Sequence, residues 1–219
     1  MKTLRLLPSL LAALLLTGAA SAQSLSLRTG QNLVFNGDFS HPEDPLAGWV
    51  RDYPGNQHYA RNAEHVSIVS DPMRGNILRI DVPGRLSGPG VKAHSRPIPF
   101  DQEARYRFRV RARGTGVPAR ILLMGYRWPP GADQVENPTV HDLRETHRFA
   151  PLHFTSGGAG GVATAPRSWQ WAEMTLPDPN LSDRGRRSLQ RVEFVAVQLM
   201  GIKGTGELFI DEVQLERIP

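Results

Sequence analysis

Five arginines occupy alternate positions in the stretch ARYRFRVRAR: Arg105, Arg107, Arg109, Arg111 and Arg113. A guanidinium is a planar, permanently charged fork that grips a carboxylate or sulfate through parallel N–H donors. A row of such forks suits an acidic polymer, and Arg107, Arg109 and Arg111 are its candidate ligand contacts. The same spacing admits a plainer role. A wet outer face, its arginines paired with acids on neighbouring strands, is the commoner meaning of a run of charge.

Aromatic side chains supply a second chemistry, because their apolar faces stack on sugar rings while Tyr and Trp keep a polar tip. Tyr126 and Trp128 share one face at the polar end of RILLMGYRW, beside a long irregular segment. Tyr53 and Tyr59 follow the early Trp49, and Trp169 and Trp171 stand two apart. Tyr126, Trp128 and Tyr53 join the arginines as candidate ligand-binding residues. Reactive motifs are lacking. The sequence has no nucleophile elbow, phosphate loop or zinc helix. His141, His147 and His153 recur every six residues, which is not a zinc-ligand spacing. Glu136, Asp142 and Glu145 are the nearest candidates for an acid–base pair.

The elements that position these groups are strands. Arg105 to Arg113 alternates with Tyr106, Phe108, Val110 and Ala112, a period of two that puts one face in a core and one outside. The row of guanidinium groups then repeats roughly every 7 Å. Asn32–Ser40, Gly48–Tyr53, Glu64–Ser70, Asn76–Val82, Gly90–Ile98, Arg120–Trp128, Trp169–Leu176, Arg191–Met200 and Gly206–Leu215 read as further strands, with a possible short one over Arg148–Phe154. Pro97 and Pro99 put the end of one of these at an edge. No helix is expected after the N-terminal leader. Many short strands separated by turns predict an all-β, antiparallel β-sandwich. Residues 129–167 form a long loop with a Gly/Ala-rich run, of the kind that carries function or is disordered.

Residues 1–22 read as a secretory signal, with Lys2 and Arg5 before the apolar Leu6–Leu16 and Ala20-Ser21-Ala22 at the cleavage site. Residues 23–31 read as a disordered lead-in and 32–219 as one domain. Secreted or periplasmic localisation follows, with no membrane attachment after cleavage. The chain of 219 residues carries a formal charge of +5, and the leader holds two of the positive groups. So small a balance does not indicate nucleic acid. Cysteine is absent, so neither disulfides nor thiolate metal sites are available.

The opening NLVFNGDFS, the early Trp49, the middle YRFRVRARG, the late Trp169 and the closing FIDEVQLE together resemble the jelly-roll carbohydrate-binding modules of the family four and nine type, within the galactose-binding-domain-like fold. The likeness runs from Asn32 to Glu216. It implies two facing sheets whose first and last strands are adjacent, and core positions for Trp49 and Trp169. It also implies a structural calcium near the paired ends. Asp211 falls on the matching position of the closing strand, whereas the usual glutamate after the opening turn is Ser40. Asp38, Glu43 or Asp44 would then complete the set, with Asp38 and Asp211 as candidate ligands.

These readings converge on an exported, non-catalytic jelly roll that binds a polysaccharide or oligosaccharide, of acidic, plant or microbial origin. Two rivals remain. One is a glycoside hydrolase or polysaccharide lyase on the same sandwich, which needs converging carboxylates or a Tyr/His/Arg cluster. The other is a structural or adhesion module that contacts a protein partner.

Overall fold

The computed structural model describes residues 29–53, 62–86, 88–154 and 163–219. The leader, most of the lead-in, Tyr59 and most of the Gly/Ala-rich run lie outside them. Among the described residues no helix is long and apolar enough to cross a membrane.

The strands are β1 (Trp49–Val50), β2 (Val66–Asp71), β3 (Gly75–Val82), β4 (Val91–Ser95), β5 (Ile98–Pro99), β6 (Arg105–Gly114), β7 (Pro118–Arg127), β8 (Arg144–Arg148), β9 (Ala163–Thr164), β10 (Gln170–Leu176), β11 (Phe194–Gly201) and β12 (Gly206–Ile218). They form two antiparallel sheets packed as a jelly-roll sandwich. One runs β10-β6-β12-β3-β2. The other runs β1-β4-β11-β7-β8, with β5 added to β11 and β9 to β7.

Alternation decides which side chains fill the space between the sheets. Tyr106, Phe108, Val110 and Ala112 of β6 point inward with Leu208, Ile210, Val213 and Leu215 of β12. They meet Ile121 and Leu123 of β7 and Val195, Val197 and Leu199 of β11. Burial of this apolar surface is the main force holding the layers together.

Three expectations are corrected. Asn32–Ser40 is a series of turns and makes one isolated bridge, Asn32 to Glu216. Its side chains do the work of a strand. The Asn32 amide donates to Val213 O at 3.0 Å and its Oδ1 accepts from Leu215 N at 3.1 Å, so the opening turn does lie beside the closing strand. The strand placed over 148–154 forms earlier, as β8, and the chain then follows β7 through Phe149 N to Leu123 O (3.1 Å) and Leu152 N to Ile121 O (2.9 Å). A helix, α1 (Asp183–Leu189), was not expected; Ser182 caps it by accepting from Gly185 N.

Candidate functional site

The arginine row faces outward, but its forks are occupied. In the β6–β12 ladder Arg107 opposes Glu216, Arg109 opposes Gln214 and Arg111 opposes Glu212. Arg107 Nη2 is 2.7 Å from Glu216, and Arg111 Nη2 is 3.1 Å from Glu212. Arg109 Nε donates to the Gln214 side-chain oxygen, Oε1. These are the cross-strand pairs a sheet favours. On the opposite flank β10 sets Trp171 beside Arg111, and the guanidinium carbons of Arg109 and Arg111 lie 4.8 and 5.0 Å from its ring centre. Arg113 and Arg74 lie against Trp169 in the same way, at 5.2 and 5.0 Å. Trp169 therefore belongs to this outer ladder and not to the core, whereas Trp49 is buried as the resemblance implies. The three proposed contacts, Arg107, Arg109 and Arg111, are thus engaged within the ladder, while Arg113 rests on the rings of Trp169 and Phe209.

The hollow between Asp38 and Asp211 is also lined by Ser40, Arg74, Arg111 and Glu212. Asp211 sits at a bulge in β12, which lets both it and Glu212 reach Arg111. Its Oδ2 receives Arg74 Nη1 at 2.7 Å. Arg111 Nε lies 2.6 Å from the same oxygen, as an ion contact and not an aligned hydrogen bond. Asp38 accepts from Ser40 N and Ser40 Oγ. Calcium needs six or more oxygen ligands, and here two guanidinium groups stand on the buried carboxylate. The residues present do not fit the ion.

Tyr126 and Trp128 lie on the outer face of the other sheet, and that face is roofed. Residues 129–143 fold back across it, and Val140 and Leu143 press on Leu122, Met124, Tyr126 and Ala196. Tyr126 is only 6% exposed, and burial, then the Glu145 charge, pushes its phenol pKa up. It has no ring face to give a sugar. Trp128 is half-buried and meets Phe194 edge-on, with ring centres 5.9 Å apart.

Tyr53 is likewise closed in. Its Oη lies 2.8 Å from His94 Nδ1, Lys92 Nζ sits 4.2 Å from its ring centre, and His141 of the roof meets it edge-on. Burial, then the charges of Lys92 and His141, lowers the His94 pKa to about 3, so its imidazole is neutral. A phenol beside a neutral imidazole is an acid–base pair in kind. At 9% and 4% exposure, Tyr53 and His94 hold the roof to the sheet instead of meeting a substrate.

The carboxylates do not assemble an acid–base centre either. Asp142 accepts from Thr139 N and Oγ, both at 2.7 Å, and those bonds pull its pKa down. A proton donor needs the opposite shift. Glu145 is paired with Arg148 at 2.9 Å. His147 bonds Ser188 at 2.6 Å, and among the described residues no group of three metal-ligating side chains converges.

A cavity of about 500 Å³ opens at the margin of the roof. Gly48, Trp49 and Val50 form one wall, Arg96, Pro97 and Pro99 a second, and Glu136 to Thr139 a third, with Phe194 between them. Its shape follows from local chemistry. Pro97 and Pro99 cannot sustain a continuous ladder, so the strand breaks into β4 and β5 and Arg96 turns outward. Arg96 N donates to Gly48 O at 2.6 Å, and its guanidinium lies 3.9 Å from the Phe35 ring centre. The opening turn braces the wall. The Asn36 amide donates to Pro45 O and Ala47 O, and Asn36 O accepts from the Trp49 indole at 3.1 Å. Among the described residues the side chains of Glu136 and Asn137 have no hydrogen-bond or ionic partner, and Arg96 has no carboxylate. Sequence reasoning missed this site because its polar residues come from a loop without periodicity. The Arg-Pro-x-Pro break and Glu136, singled out only as an acid–base candidate, were its visible signals.

No family model and no curated protein matches the chain. Solved structures do match. The Family 16 Carbohydrate Binding Module-2 is 10% identical, with a TM-score of 0.46 over 84% of this chain and 99% of that one. The Family 11 Carbohydrate-Binding Module from Clostridium thermocellum, solved with a β-1,3-1,4-mixed-linked tetrasaccharide, is 13% identical, with a TM-score of 0.44 over 69% and 81%. The enzymatically active domain of Bacteriophage CBA120 tailspike protein 4 is 12% identical, with a TM-score of 0.47 over 85% of this chain. The chain spans only 21% of that tailspike chain. Most of the neighbours are named as carbohydrate-binding modules.

Proposed function

We propose that the chain is an exported, non-catalytic carbohydrate-binding module that takes a short stretch of oligosaccharide in the cavity between Arg96 and Glu136. The cavity carries the proposal. It has the size of a small-ligand site, with apolar walls of Phe194 and prolines and polar groups, Glu136 and Asn137, that have no partner among the described residues. Phe and Pro faces suit the C–H faces of a sugar, and Arg96, Glu136 and Asn137 supply donors and acceptors for its hydroxyls. The leader sequence supports a secreted or periplasmic setting, where such ligands occur. The Tyr53–His94 pair is closed, and the cavity lining holds one carboxylate, Glu136, where glycoside hydrolysis takes a pair, which favours binding without turnover.

Calorimetry of the mature protein against a panel of neutral and acidic oligosaccharides tests this. Binding that weakens in Phe194→Ala and Asn137→Ala is expected. Silence across the panel, or binding indifferent to both variants, would overturn the proposal.

A further inference from the structure

The arrangement of charge in the cavity narrows the ligand class. Arg96 and Glu136 line one small space, carry opposite charges, and make no ion pair with each other or with another charged side chain among the described residues. Opposite charges that line one cavity without pairing stay solvated apart until a ligand bridges them. The Arg96 position is constrained. Its backbone is tied to Gly48 and its guanidinium rests on the Phe35 ring, which favours this position of the side chain. Burial lowers its pKa and no carboxylate among the described residues offsets the cost, so the group stands to gain from an acceptor.

Building on the carbohydrate-binding role, we infer that Arg96, Glu136 and Asn137 grip the vicinal hydroxyls of a neutral sugar and select against uronates and sulfated sugars. A hydroxyl both donates and accepts. One hydroxyl of a vicinal pair accepts from the Arg96 fork. Its neighbour donates to the Glu136 carboxylate, and Asn137 serves either. Both bonds are charge-assisted, the stronger kind. A ligand carboxylate satisfies Arg96 but sits against Glu136, and like charges brought together in a partly enclosed space oppose binding. In the β6 row Arg107, Arg109 and Arg111, the arginines expected to grip an acidic chain, are already engaged by Glu216, Gln214 and Glu212. This reverses the acidic-polymer expectation drawn from the arginine spacing.

The test is calorimetry with β-1,4-linked gluco-, xylo-, manno- and galacto-trioses against trigalacturonate and triglucuronate, on the wild type, Glu136→Gln and Arg96→Gln. Glu136 and Arg96 are exposed, and a thermal melt of each variant confirms that it folds. At least one neutral triose should bind about tenfold or more tighter than either uronate, the worth of one charge-assisted hydrogen bond. Glu136→Gln should weaken the neutral ligand and shrink that gap. Arg96→Gln should weaken the neutral ligand about tenfold. Uronates that match or exceed the neutral sugars would overturn the selectivity while leaving carbohydrate binding intact. Neutral binding that ignores both variants would remove the ligand from this cavity. Absence of binding by every probe would instead defeat the carbohydrate-binding role itself.

Discussion

Arg74 Nη1 lies 2.7 Å from Asp211 Oδ2, joining the turn between β2 and β3 to the bulge of β12. Asp211 is buried, with 5% of its side chain exposed, and Arg111 approaches the same oxygen. A divalent cation there would have to displace two guanidinium groups. The melting temperature should therefore be the same in millimolar calcium and in chelator, because a ligand that does not bind the native state cannot stabilise it. Arg74→Met should lower it by several degrees. It leaves a buried carboxylate with one partner in place of two, at about 1–2 kcal/mol. A calcium-dependent rise in the wild type, followed by differential scanning calorimetry, would restore the metal.

Gly48 holds the wall of the cavity in a conformation that other residues resist. Its φ is +80°, and an added Cβ would lie 2.6 Å from Phe35 Cδ1. Phe35 is the ring on which Arg96 rests, so the strain passes directly to the binding residue. Gly48→Ala should cost about 1–3 kcal/mol of stability and also weaken glycan binding. Urea unfolding and calorimetry on one preparation measure the two effects. A variant as stable as the wild type would mean that the wall is softer than its geometry implies.

Acid should loosen the roof through His94. Its folded pKa of about 3 lies below the ordinary value of 6.5, owing to burial first and the charges of Lys92 and His141 next. Between those values the unfolded chain binds a proton that the folded chain does not. Stability is thus complete above about pH 6.5 and falls as pH drops toward 3, by at most about 1.4 kcal/mol per unit. Burial lowers the His147 pKa as well, which adds to the trend. Melts between pH 7 and 4 should show a shallower decline in His94→Asn than in the wild type. Equal slopes in the two would remove His94 as the cause.

The pattern that was plainest in the sequence proved to be architecture. Period two fixed the faces of β6, because inward Tyr106, Phe108, Val110 and Ala112 leave the arginines nowhere else to go. The closing DEVQLE carries its partners, Glu212, Gln214 and Glu216, at the same period. Their pairing across a separation of about a hundred residues depends on strand order, which local spacing does not encode. Tyr126 misled for a related reason. A polar strand end looks open until a loop with Val140 and Leu143 folds over it, and two apolar residues in an irregular segment announce no destination. The cavity was hidden most of all, since its walls come from three separate stretches of chain.

If the ladder's arginines serve the sheet and not a ligand, substituting one should not touch ligand binding. Arg109 bonds Gln214 and lies against Trp171, on the sheet opposite the one that bears the cavity. Arg109→Ala should leave affinity for any bound oligosaccharide within about twofold, as expected of a residue with no ligand contact. A loss of tenfold or more, read by calorimetry, would return the ladder to the binding surface.

The roof also limits how a chain can lie. A polymer bound along its interior would need an open groove across β4, β11, β7 and β8, and Val140 and Leu143 fill that face over Leu122 and Tyr126. The remaining space, about 500 Å³, lies at the margin beside β1 and β5. Further sugar units find solvent there and add little binding energy. Affinity should climb over roughly the first two or three units of an oligosaccharide and then level off, since a cavity of this size encloses only a small ligand. Titration of a length series from monosaccharide to hexasaccharide measures the plateau. Leu143→Ser, which weakens the roof, should let affinity grow further with length and bring the Tyr126 phenol pKa down as the ring meets water. An affinity that rises steadily to the hexasaccharide in the wild type would mean that a groove exists where the roof now lies.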